Sequence, residues 1–134
     1  MSETQSAKLD VMISRLAAVR VFVANVDKAT RFYRDTLGLA CVGQSKSAAV
    51  FRINDLDFIV EYANPADPDA AEMIGRFTAL SFAVEDCLAV VGKLTGLGVQ
   101  FLGPAQKQEW GGMLAHLLDP DGNVLTLVQY PQPA

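Results

Sequence analysis

Apolar residues recur with a period of two over 16–23 (LAAVRVFV), which predicts a strand with Val19, Val21 and Val23 on one face and Ala18, Arg20 and Phe22 on the other. The valine row reads as the face turned to the core. Asn25 then supplies a helix cap, and Ala29, Phe32, Tyr33, Thr36 and Leu37 follow the spacing of one helical face until Gly38 stops it. Three strands are expected next, near 39–43, 48–53 and 57–62, the last two joined by the turn-forming Asn54-Asp55-Leu56-Asp57. Residues 63–77 hold two prolines and little strand character, so they read as a linker with one helical turn near 70–74.

The same order begins again after the linker. An alternating strand over 78–84, a cap at Asp86, a helix face of Leu88, Val91, Leu94 and Thr95, and a stop at Gly96 and Gly98 are followed by strands at 99–102 and in the segment 109–130. That last segment, EWGGMLAHLLDPDGNVLTLVQY, reads as a hairpin. Apolar runs flank Asp119-Pro120-Asp121-Gly122-Asn123, where proline fixes φ and Asp-Gly tolerates a tight reversal. The predicted organisation is α+β: an N-terminal arm (1–15) with a short helix from Lys8, a βαβββ module (16–62), the linker (63–77), a second βαβββ module (78–130) and a tail (131–134). Each sheet covers one face with its helix and leaves a concave face that must close on another sheet or a ligand, so a curved mixed sheet around a cleft is expected.

Composition narrows the function. A chain of 134 residues that is 51% apolar suits one compact domain. Its net charge of −4 and 11 unclustered basic residues supply no footprint for nucleic acid or an anionic membrane. No apolar run approaches the roughly 20 residues of a spanning helix, and the N-terminus lacks signal-peptide order, so a cytoplasmic protein is expected. Cys41 and Cys87 lack CxxC spacing and read as buried thiols, although Cys87 behind the cap Asp86 is also placed where a helix N-terminus can activate it.

The sequence Arg31-Phe32-Tyr33-Arg34-Asp35-Thr36-Leu37-Gly38-Leu39, the repeat, and the closing hairpin from Trp110-Gly111-Gly112 to Gln129-Tyr130 resemble the vicinal oxygen chelate superfamily, which includes glyoxalase I, extradiol dioxygenases and bleomycin-binding resistance proteins. The resemblance spans about Leu16 to Tyr130. It implies paired modules, and a homodimer in which the first module of one chain faces the second of the other. Fold alone does not fix the chemistry. The family's metalloenzymes draw ligands from the first and last strand of each module, positions that fall here on Ala18, Ala79, Thr126 and either Ile59 or Glu61. At most one carboxylate remains where about three ligands are needed, so neither metal nor cofactor is expected.

By strand parity Arg20, Phe22 and Thr126 point into the cleft, the resemblance implies that Glu61 and His116 do so too, and Trp110, ahead of two glycines, sits on a loop that can reach its mouth. His116, the single histidine, is either a general base or ligand-binding donor, or a hydrogen-bonded histidine of the sheet. Arg20 and Glu61 either pair with each other or hold a polar ligand. Trp110 either stacks on a planar ligand or packs against its own fold. The resulting expectation is a metal-free protein binding a small organic molecule in an aromatic and aliphatic cleft. The alternative is an enzyme of the same fold, a lyase, isomerase or dioxygenase with a non-standard or metal-independent site and with His116 or Glu61 as base.

Overall fold

A computed structural model describes residues 12–132. The strand β1 (Ala18–Val23) leads into α1 (Val26–Arg31), which continues as a π-helical turn over Phe32–Thr36, and then into β2 (Ala40–Gln44), β3 (Ala48–Ile53) and β4 (Leu56–Tyr62). A short helix α2 (Pro68–Ala71) lies in the linker. The second module comprises β5 (Phe77–Ala83), α3 (Cys87–Gly96), β6 (Gln106–Lys107), β7 (Met113–Leu118) and β8 (Val124–Gln129). The predicted arm helix from Lys8 falls largely outside the described residues.

The strands form two four-stranded sheets of matching order, β1-β4-β3-β2 and β5-β8-β7-β6, each with one parallel pair (β1 with β4, β5 with β8) and otherwise antiparallel neighbours. The caps act as read: Asn25 accepts from the Lys28 amide and Asp86 from the Ala89 amide, each satisfying a donor the helix leaves open.

Helix-side residues of both sheets enter one core. Val21 and Val23 of β1, Phe58 and Val60 of β4, and Leu117 of β7 are buried together, and Phe58 meets Phe82 of β5 edge-on at 5.9 Å between ring centroids. Tyr33, Phe51 and Phe58 form an aromatic knot in which every ring is fully buried. Burial at that level contributes about 2 to 3 kcal/mol per ring relative to exposure. The helix-side faces thus meet across the core, and the concave faces are left on the outside of it. The latter adjoin where β1 meets the residues leading into β5, through a parallel bridge between Phe22 and Ile74.

Two local departures follow from particular residues. The segment 99–102 does not run as a full strand. Phe101 makes a single bridge to Leu117, and Gly103-Pro104 interrupts the pairing before β6 resumes it. The linker turn is α2, earlier than 70–74, because Asp67 caps it by accepting from the Asp69 amide and Pro68 occupies its first position.

The closing hairpin turn is also the joint between modules. Asp119 is buried and accepts from the Tyr33 hydroxyl (2.7 Å), the Asn123 side-chain amide (2.9 Å) and the backbone amides of Asp121 and Asn123 (2.9 Å each). Asn123 donates to the Phe22 carbonyl and accepts from the Gly75 and Arg76 amides, while Asp121 accepts from the Ala24 amide. Burial makes these bonds selective, since an unpaired group here would keep its desolvation cost without return.

Candidate functional site

On the concave face of the first sheet, the register sets Arg20 opposite Ile59 and Phe22 opposite Glu61. Arg20 makes a two-pronged ion pair with Glu61, Nε to Oε1 at 3.0 Å and Nη2 to Oε2 at 3.2 Å, and its guanidinium lies 5.3 Å from the Phe22 ring centroid. The pair is open to solvent, with side-chain exposures of 53% and 34%. Glu61 raises the Arg20 pKa first through that hydrogen bond and then through its charge. Such an exposed pair adds little to stability, which leaves both groups able to exchange partners with a ligand.

On the second sheet His116 stands opposite Thr126, and its Nδ1 lies 2.8 Å from the Thr126 hydroxyl. Thr126 is only 3% exposed. This residue therefore serves first as the partner that orients the imidazole. Phe77 packs edge-on against His116 at 5.7 Å and is itself 61% exposed. Trp110 sits ahead of β7, 6.2 Å from the Tyr130 ring, with its indole over Gly112. It does not line the recess beside Arg20 and Phe22.

That recess, about 250 Å³, is where the two concave faces adjoin. Arg20 and Phe22 come from β1; Arg76, Phe77 and Thr78 come from the entry to β5. Phe77 connects it to His116. Arg76 and Phe77 were not legible as site residues, since 63–77 reads as linker; the available signal was an aromatic beside a basic residue directly before an alternating strand.

The residues at the family's four metal positions do not make a ligand set. Ala18 and Ala79 have no donor side chain, Thr126 is engaged with His116, and Ile59 is apolar. Glu61 lies on the concave face but is held by Arg20. Position 79 is further altered by a bulge: the five residues of β5 from Phe77 to Ser81 run beside only three of β8, Val124 to Thr126, and Ala79 adopts a φ of 61°. Among the described residues no three His, Cys, Asp or Glu side chains gather as metal ligands. Cys87 is fully buried, and burial, then the Asp86 charge, pushes its thiol pKa up, against the activation a helix N-terminus would supply.

Paired βαβββ modules with helices packed inside and open concave sheet faces define the architectural class. The Glyoxalase/Bleomycin resistance protein/Dioxygenase superfamily model matches residues 15–127, and the chain belongs to that family. It is 31% identical over 106 residues to a bleomycin resistance protein from Klebsiella pneumoniae, a match covering 77% of this chain and 82% of that protein. Among solved structures it is similar to a superfamily member from Sphaerobacter thermophilus (TM-score 0.72, 26% identity, 89% of this chain and 99% of that one). It is also similar to TnmS3, an antibiotic-binding protein from a Streptomyces species (TM-score 0.71, 26% identity, 91% and 99%).

Proposed function

We propose that this chain is a small-molecule-binding protein of the bleomycin resistance type that holds an organic ligand on its concave faces without a metal. One observation carries the reading. The concave side presents aromatic rings and an exchangeable ion pair, while the positions that would grip an ion carry Ala18, Ala79 and Thr126. The likeness to TnmS3, an antibiotic-binding protein, and to a bleomycin resistance protein supports the ligand class. Pairing with a second copy, first module to second, would close a cleft over Arg20, Phe22, Glu61 and His116, with Trp110 on its rim. No helix among the described residues is long and apolar enough to cross a membrane. Two unpaired thiols favour a reducing, cytoplasmic setting. A thermal-shift screen of planar and glycopeptide antibiotics and smaller aromatic compounds tests the reading: at least one class raises Tm, and a screen in which none does overturns it.

The His116 geometry favours a second reading, a metal-independent lyase or isomerase. Nδ1 is anchored on Thr126, and Nε2 has no hydrogen-bond partner among the described residues; with the proton on Nδ1 donated to the Thr126 hydroxyl, Nε2 is the free nitrogen a general base needs. Turnover of hydroxy-acid, keto-acid or thiohemiacetal substrates that falls in His116→Ala or Glu61→Gln would establish it. Unchanged turnover in both variants removes it.

A further inference from the structure

We infer that the recess between β1 and the entry to β5 is a subsite for a planar organic anion, a single aromatic ring carrying a carboxylate or similar acid, with Arg76 as its charge partner and Phe77 as its stacking surface. The inference rests on the small-molecule reading above and names the chemistry of one part of that ligand.

Two guanidinium groups, Arg20 and Arg76, line the recess, and no carboxylate does. Arg20 is already neutralised by Glu61 from the neighbouring strand. Arg76 is exposed, and its side chain makes no ion pair or hydrogen bond among the described residues; only its backbone is engaged, the amide donating to Asn123 and the carbonyl accepting from the Val124 amide. Counting Arg20 as positive, Glu61 as negative and Arg76 as positive leaves one uncompensated positive charge, in a protein whose net charge is −4. A monoanion is the ligand that balances it. Charge-assisted and forked hydrogen bonds from arginine to an acid group are strong and directional, which makes Arg76 a better anion partner than a lysine would be.

The flanking groups set the shape. Phe22 and Phe77 stand on the two contributing strands, Phe77 with most of its ring exposed, and an exposed aromatic beside an unpaired cation is suited to a flat ligand bearing the opposite charge. A volume of about 250 Å³ accommodates one ring and its acid group and excludes a larger polycyclic body, which would continue toward His116. The backbone here is held in place: Asn123 accepts from the Gly75 and Arg76 amides, so Arg76 emerges from an anchored position.

Benzoate, benzamide and benzamidine share a ring and differ in charge, and they separate the possibilities when titrated into the isotope-labelled full chain by NMR. Benzoate is expected to give saturable shifts at Arg76, Phe77 and Phe22, to bind roughly tenfold more tightly than benzamide, and to weaken as salt is added. Benzamidine should not bind there. Arg76→Gln should lose roughly tenfold in benzoate affinity and Arg76→Lys less, with the remaining spectrum unchanged, as expected for an exposed side chain. Glu61→Gln, which removes the competing carboxylate, should strengthen benzoate binding. Equal binding of the three probes, preference for benzamidine, no benzoate binding, or an Arg76→Gln variant with undiminished affinity would each overturn the inference. If a neutral or cationic compound raises Tm in the wider screen while benzoate stays silent, the anion subsite is refuted and the small-molecule reading stands. Silence in both refutes both.

Discussion

The Tyr33 hydroxyl donates to Asp119 Oδ2 at 2.7 Å, joining the first helix to the final hairpin turn across 86 residues of sequence. Both groups are buried. Burial, then the charge of Asp119, holds the Tyr33 pKa far above its usual range, so the phenol remains a donor at every accessible pH.

Tyr33→Phe should therefore destabilise the fold by about 1 to 2 kcal/mol, since Asp119 keeps three other donors. Asp119→Ala strands the Tyr33 hydroxyl, one N–H of the Asn123 side chain and two backbone amides together, and should cost roughly 3 to 5 kcal/mol. Urea unfolding of the two variants checks the order. Equal losses would show that the hydrogen bonds are not shared out as the geometry indicates.

Asp121 predicts a pH dependence. Its Oδ1 accepts from the Ala24 amide, but its Oδ2 is buried without a partner. Burial raises its pKa above the ordinary 3.8; the Ala24 hydrogen bond opposes this, the Asp119 charge adds to it and the Lys28 charge opposes it. An acid whose pKa is raised by folding contributes stability that is fully present below the unfolded value and is lost as pH rises through the folded one. Asp121→Asn should thus be more stable than the parent near neutral pH, with the advantage shrinking as the pH falls toward about 4. Tm measured across that range tests it, and an advantage that grows on acidification would reverse the sign.

Gly112 makes a third case. A Cβ there would lie 1.9 Å from the Trp110 ring and 2.5 Å from the Gln129 carbonyl oxygen, and the second contact is to backbone that cannot swing away. Gly112→Ala should destabilise by about 2 kcal/mol or more and shift the fluorescence of the only tryptophan. Gly92, inside α3 with nothing within 4 Å of its added Cβ, is the control. Gly92→Ala should raise stability by about 0.5 to 1 kcal/mol through helix propensity and leave the emission spectrum unchanged.

Prolonged dialysis against a chelator should leave both Tm and ligand-induced stabilisation unaltered, because no ligand set gathers at Ala18, Ala79, Thr126 and Glu61. Loss of either property together with release of about one equivalent of metal would contradict the metal-free reading.

Sequence periodicity carried the alternation of β1, β4, β7 and β8, and with it the facing of Arg20 and Phe22, because a strand alternates faces until a bulge intervenes; which face Glu61 and His116 share came from the family resemblance. The caps Asn25 and Asp86 and the turn at 119–123 were also legible, since each acts through bonds to near neighbours. The bulge at Ala79 and the recess at Arg76 and Phe77 were not. Apart from the adjacent basic and aromatic residues at 76 and 77, they depend on contacts between segments, such as Asn123 with Gly75 and Arg76, which local spacing does not encode. The burial of Thr126 against His116 escaped for the same reason: parity gives the side of the sheet and not what covers it.

The tie from Asn123 to the Phe22 carbonyl spans 101 residues and that from Asp121 to the Ala24 amide spans 97. During synthesis the first half of the protein therefore emerges from the ribosome with these polar groups unanswered, and they are satisfied only when the last hairpin has been made. The N-terminal module should behave as a dependent half, unable to reach its mature form until the C-terminal residues are released.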